Sequence, residues 1–267
     1  MSQIRKLLFQ SALLIGLIFL LFVLFQMINW NPLIKSIKTE FISEKKIGDL
    51  LVKAVISSEK ISCDSLVIEK IDSLVGKICV SNGINPNTIH LHLIEKNEVN
   101  AFAMPGGHLV IYTGLLKKTE NSDQLCGVLA HEIAHIKLSH VVQKLSSDIG
   151  LSVLFTLTTN GGNSHVAQEI LRNLSSTSFG RSLEKEADIK AILYLNKSNI
   201  NPLALVDFMK IMTIKENDFS INLEWLSTHP TSMNRVSYLK SEVRRYTNRT
   251  YLKPIPSPIW KMIQQRL

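Results

Sequence analysis

DQLCGVLAHEIAHIKLSHVVQK, residues 123–144, is the stretch from which the rest of the chain can be read. Leu125, Val128, Leu129, Ile133, Ile136 and Val142 recur at helical spacing, so Asp123 to Lys144 is expected to form one helix with an apolar face to bury. His131 and His135 stand four residues apart and leave the same side of that helix, where two imidazoles can converge on one cation. Neutral imidazole nitrogen suits Zn²⁺, and Glu132 between them can take a proton from a water activated by the metal. That is the chemistry of peptide-bond hydrolysis. An HExxH match alone also occurs by chance on ordinary helices; polar ligands beside a buried stripe, as in a cleft, strengthen it.

Catalytic zinc generally takes three protein ligands and leaves one position to water. The layout HExxHxxGxxH is broken here, because Leu138 stands at the glycine and Val141 at the third histidine, with His140 one residue out of register. A carboxylate on a second helix is the remaining source. Glu184 and Asp188, in RSLEKEAD at residues 181–188, share a helical face, so Glu184 can reach the metal while Asp188 fixes the tautomer of a ligand histidine. Glu186 lies about 200° round that helix and is expected to point away. Glu169 is a rival, although Asn173 stands where its partner aspartate would be. The bland alternative is a solvated face of Glu184, Lys185 and Glu186.

A chain of 267 residues has room for one sizeable domain and an appendage. The net charge of +8 is scattered and accompanies no nucleic-acid motif, so no nucleic-acid partner is expected. Cys63, Cys79 and Cys126 share no CxxC spacing, which excludes a zinc ribbon and argues against a disulfide framework; Cys126 reads as a small core residue. No charged residue lies between Lys6 and Lys35, and a helix over Leu7 to Trp30 would rise roughly 35 Å, enough to cross a hydrocarbon core of about 30 Å. Residues 1–30 are therefore expected to be an uncleaved single-pass anchor, with Trp30 at the interface. Lysines on both sides make the positive-inside comparison nearly even; the short N-terminal arm favours the large domain on the non-cytoplasmic side.

Residues 31–60 read as a lysine-rich juxtamembrane helix and linker, residues 61–243 as the catalytic domain, and residues 244–267 as a basic tail. Val67 to Ile78 looks like an amphipathic helix. Thr88 to Ile94 alternates like a strand, which sets His90 and His92 toward solvent rather than toward a metal. Asn100-Ala101-Phe102-Ala103-Met104-Pro105-Gly106-Gly107-His108 and the run to Tyr112 read as strand, glycine turn, strand. Such a hairpin can hold an extended peptide against its edge, which makes Asn100, Ala101 and Phe102 candidate substrate-binding residues. Ile149 to Thr158 is apolar but too short to span a bilayer, and Gly161 to Ser164 reads as a loop. Pro254, Pro256 and Pro258 are expected to forbid a regular helix in the tail, which reads as a strap over the domain.

HEIAH followed by RSLEKEAD resembles the membrane-associated zinc metallopeptidases that include the HtpX heat-shock protease, the type I CAAX prenyl protease, OMA-type mitochondrial proteases and periplasmic BepA-like proteases. The likeness runs from about Asn87 to Leu239 and includes Asn100-Ala101-Phe102, Pro105-Gly106-Gly107 and Thr228-His229-Pro230 with Arg235. It implies that His131, His135 and Glu184 bind one zinc ion and that Glu132 is the general base. It also implies that His229 and Arg235 lie by the cleft and stabilise negative charge in the transition state, or that the histidine caps the zinc and keeps the enzyme shut. Gly180 departs from the family pattern. One long apolar run, without further spans or helical repeats, places the chain nearer the single-anchor branch.

The fold expected is α+β and mostly helical, a zincin-like (gluzincin) metallopeptidase domain with a small antiparallel sheet beside the cleft, behind one N-terminal transmembrane helix. The activity expected is that of a membrane-anchored zinc endopeptidase. By resemblance, its substrates are misfolded or unassembled envelope or membrane proteins on the periplasmic side of the inner membrane. The competing readings are a membrane-tethered chaperone or binding module with structural zinc, in which Glu132 has no task, and a protease facing the cytoplasm.

Overall fold

The structure is a computed structural model that describes residues 16, 43–150, 152–154, 164–215, 224–230, 233–246 and 249–267. The expected anchor, apart from Gly16, the linker up to residue 42, most of the apolar stretch after residue 150 and the loop at residues 161–163 lie outside the described residues. Among the described residues no helix is long and apolar enough to cross a membrane.

The first helix, α1 (Glu44–Ser58), starts where the Ser43 side chain accepts from the Lys46 amide, and it buries Ile47, Leu51, Ala54 and Val55. Helix α2 (Ser65–Ser81) is capped in the same way by Asp64, and Val67, Ile71, Leu74, Val75 and Ile78 form its buried stripe. Strands β1 (His90–Ile94), β2 (Ala101–Met104) and β3 (His108–Tyr112) make a three-stranded sheet in the order β1-β3-β2. The hairpin of β2 and β3 is antiparallel, as expected, but β1 runs parallel to β3 with His90 opposite His108. The sheet is therefore mixed rather than antiparallel. Its reversal at Pro105–Gly107 needs Gly106 and Gly107 at φ of 75° and 85°, and a Cβ on Gly107 would meet the Thr88 carbonyl at 2.0 Å.

A short α3 (Thr113–Lys118) leads to α4 (Ser122–Lys137), whose N-terminus is capped by Asn121 accepting from the Gln124 amide at 2.9 Å. The single helix expected as far as Lys144 is broken: Ser139 adopts a left-handed φ of 55°, and α5 (His140–Asp148) sets off in a new direction. Nor does α4 have only one apolar face. It is buried almost all round, because the sheet, α2, α7 (Arg181–Lys197) and α8 (Leu203–Lys215) pack against it; α6 (Ser164–Ser176) lies between α5 and α7 in the chain. Gly127 permits this closeness, since a Cβ there would stand 2.9 Å from Leu205 Cα.

The chain closes with α9 (Glu224–Thr228), α10 (Met233–Val243) and α11 (Ser257–Gln265). The tail prolines do not forbid a helix. Pro258 sits in the first turn of α11, where a missing N–H costs nothing, and the helix buries Trp260 and Ile263 in the main core. Ser43–Leu267 is one compact unit. Cys79 and Cys126 are buried free thiols and Cys63 is exposed.

Candidate metal centre

One turn of α4 separates His131 from His135, and their Nε2 atoms stand 3.0 Å apart. Helix α7, packed against α4, brings Glu184 to them: Oε1 is 3.3 Å from His135 Nε2 and Oε2 is 3.6 Å from His131 Nε2. His229, directly after α9, completes the cluster with Nδ1 at 2.8 Å from Glu184 Oε1 and 3.2 Å from His131 Nε2. All four residues are buried, and one ligand atom from each lies within 4.8 Å of the others. Zn–N bonds of about 2.0–2.1 Å in a tetrahedron require donors about 3.3 Å apart, so the spacing fits that ion.

The proton arrangement fits it as well. Asp188 Oδ1 lies 3.0 Å from His131 Nδ1, which draws the imidazole proton there and leaves a lone pair on Nε2. Burial opposes the charge of Asp188, but Arg235 more than offsets it, donating from Nε and Nη2 at 2.7 and 2.8 Å, and holds its pKa down at about 2. Tyr238 donates its hydroxyl to the same carboxylate. Burial likewise opposes ionisation of Glu184, yet His229, His135 and Arg235 hold its carboxyl well below the ordinary value. Burial would strip the proton from His229, but Glu184 and Glu132 outweigh it and raise the ring's pKa to about 10. That proton belongs to the metal-free arrangement; a divalent ion held by these donors would supply positive charge beside the carboxylates in its place.

Glu132 adjoins the donors and is fully buried. The backbone amide of Ala103 on edge strand β2 donates to its Oε2 at 2.9 Å, while Oε1 lies 3.2 Å from His229 Nε2. Arg235 faces Glu184 Oε2 at 2.7 Å and donates to the Pro230 carbonyl at 3.0 Å. Asn100, Ala101 and Phe102 are all buried; Phe102 packs edge-on against Tyr112, and the Asn100 amide has no hydrogen-bonding partner among the described residues. It is Ala103, next along the strand, that touches the centre. The rival Glu169 is on the exposed side of α6, paired with Arg172.

Besides Ala103 and Tyr238, sequence reasoning missed His140, Glu186, Phe179 and Trp225. The break at Ser139 swings His140 back until its Nδ1 is 3.1 Å from His135 Nδ1, and Glu186 meets His140 Nε2 at 3.4 Å. Glu186 does point away from the metal donors, but toward the histidine that orients one of them. Phe179 lies 4.2 Å from His135 and stacks on His229 at 5.5 Å between ring centroids, and Trp225 covers His229 from 5.0 Å. A one-residue shift of the His140 position offered a faint signal; the aromatic walls offered none. Phe179, Arg181, Glu184, Pro230, Arg235 and Tyr238 line a cleft of about 690 Å³ that reaches this centre.

The Peptidase family M48 model matches residues 66–243. Among curated proteins, the chain is 27% identical to the beta-barrel assembly-enhancing protease of Yersinia pestis, over 80% of this chain and 45% of that one. It is 26% identical to the mitochondrial metalloendopeptidase OMA1 of Schizosaccharomyces pombe, over 73% of this chain and 58% of that one. The figure for the human metalloendopeptidase OMA1, mitochondrial, is 27%, over 82% and 41%. The chain thus spans about half the length of the relatives it matches.

Proposed function

This chain belongs to peptidase family M48, and from that premise we propose that it is a zinc-dependent metalloendopeptidase. The observation that carries the reading is that His131, His135 and Glu184, from two separate helices, turn their donors to one point beside Glu132. A purely structural zinc site has no use for that fourth side chain. When bound, the ion supplies Lewis acidity, polarising a carbonyl and lowering the pKa of water to about 7. Glu132 Oε1 receives the proton, because Oε2 is held by the Ala103 amide. Asp188 fixes the tautomer of His131, and Phe179 and Trp225 keep water from the imidazoles.

His229 occupies the remaining corner of the donor set, so cleavage requires it to withdraw, after which its N–H can serve charge developing on the substrate oxygen. Arg235 is engaged by Glu184 and Asp188, and we assign it to holding those carboxylates in place. The edge of β2 over Asn100, Ala101 and Phe102 is the proposed binding strand for an extended substrate. The uncharged run from Leu7 to Ile34 makes the enzyme a single-pass membrane protein in this reading, with its catalytic unit on the non-cytoplasmic side. Its substrates are unfolded or unassembled envelope and membrane proteins.

Glu132→Gln tests the mechanism. The variant is expected to keep one zinc per chain and to cleave casein at least about 10²-fold more slowly; undiminished cleavage with zinc retained would overturn the assignment. An engineered cysteine near Ser58, probed with an impermeant thiol reagent in intact cells, decides the side of the membrane.

A further inference from the structure

Apart from the centre described above, three imidazoles share one face of the sheet. His90 and His92 alternate along β1 and point the same way, and His108 opens β3 directly opposite His90. His92 Nε2 and His108 Nδ1 stand 3.0 Å apart, and the His90 and His108 rings are 5.0 Å apart between centroids. On its far side, His108 Nε2 faces Asp49 Oδ1 of α1 at 3.5 Å. A carboxylate at one ring nitrogen holds the proton there and leaves a lone pair on the other, the arrangement that orients metal-binding imidazoles. With its proton on Nε2, toward Asp49, His108 turns the Nδ1 lone pair to His92 Nε2, at a separation close to the donor spacing of a tetrahedral ion with metal–nitrogen bonds of about 2.0–2.1 Å.

Access agrees with this geometry. His108 is buried, His92 half-buried and His90 exposed, so the group opens to solvent on one side.

We propose that His90, His92 and His108 form a second metal site, for a borderline divalent cation of the Zn²⁺ class, with Asp49 as the residue that positions His108. It closes when the exposed His90 ring turns a nitrogen toward the other two, a motion that exposed side chains make freely. The site shares no ligand with His131, His135 and Glu184, so each can be removed without the other.

Equilibrium dialysis of the full chain against micromolar Zn²⁺, followed by metal analysis, is expected to give two ions per chain. The Glu184→Ala variant keeps the second ion and His90→Ala/His92→Ala keeps the first, each giving one. Asp49→Asn is expected to weaken the second ion about 10- to 100-fold. One ion in the parent chain, or two in the double-histidine variant, would overturn the proposal. Should that double variant unfold, His90→Ala alone, at an exposed position, must weaken the second ion at least tenfold with an unaltered far-UV spectrum; unchanged affinity there would equally overturn it.

Discussion

Asp188 Oδ1 faces His131 Nδ1 at 3.0 Å while Arg235 and Tyr238 hold Asp188, so a change at the carboxylate acts on the proposed metal ligand at one remove. Asp188→Asn is expected to weaken zinc about 10- to 100-fold, read by competition against a chelator. Arg235→Lys should follow it, since a lysine cannot reproduce the forked contact. His229→Ala is expected to raise basal casein cleavage several-fold, because the corner it fills becomes free for water; a fall would restrict it to stabilising the transition state. The pairs His131/His135 and Glu184/Asp188 were legible in the sequence because helical spacing puts each pair on one face, whereas bringing Glu184 and Glu132 to the same centre rested on the resemblance. His140, Phe179 and Trp225 were not legible, since their arrival depends on a left-handed turn at Ser139 and on packing between elements distant in the chain.

Between elements, one tight seam lies where α1 crosses the turn before β3. A Cβ on Gly48 would come within 2.1 Å of the Pro105 carbonyl oxygen. Gly48→Ala is therefore expected to destabilise the fold by about 1–3 kcal/mol despite its gain in helix propensity, measured by urea denaturation. The hairpin of β2 and β3 could be read from its glycines, but the parallel pairing of β1 could not, because alternation shows which side is buried and says nothing of direction. The same pairing draws His92 out of the solvent expected for it and against His108. Its folded pKa of about 4 is below the ordinary 6.5, so the unfolded chain takes the proton first. Stability from this ring is complete above pH 6.5 and is lost as pH falls toward 4. In chelator-treated protein, the parent is expected to lose about 1–2 kcal/mol more over that range than His92→Gln does, allowing for partial exposure.

Across the whole molecule, the C-terminal segment does more structural work than its composition suggests. Trp260 Nε1 donates to the Thr119 carbonyl at 3.4 Å and Arg266 pairs with Asp64 at the start of α2, so α11 ties the N-cap of one helix to the approach to another. Trp260→Ala is expected to cost about 3–5 kcal/mol, visible as a lowered Tm. Three prolines concealed this docking, because their number argued against a helix while their positions, all at or before its first turn, allowed one.

The burial of α4 on nearly every side has one last consequence. A segment with so little outward surface cannot be altered to grip a different peptide without loosening everything around it, whereas Arg181, Lys185 and Asn234 stand exposed along the rim of the cleft. Diversification of what is cut would have to proceed from that rim inward, leaving the machinery beneath it unchanged from one descendant to the next.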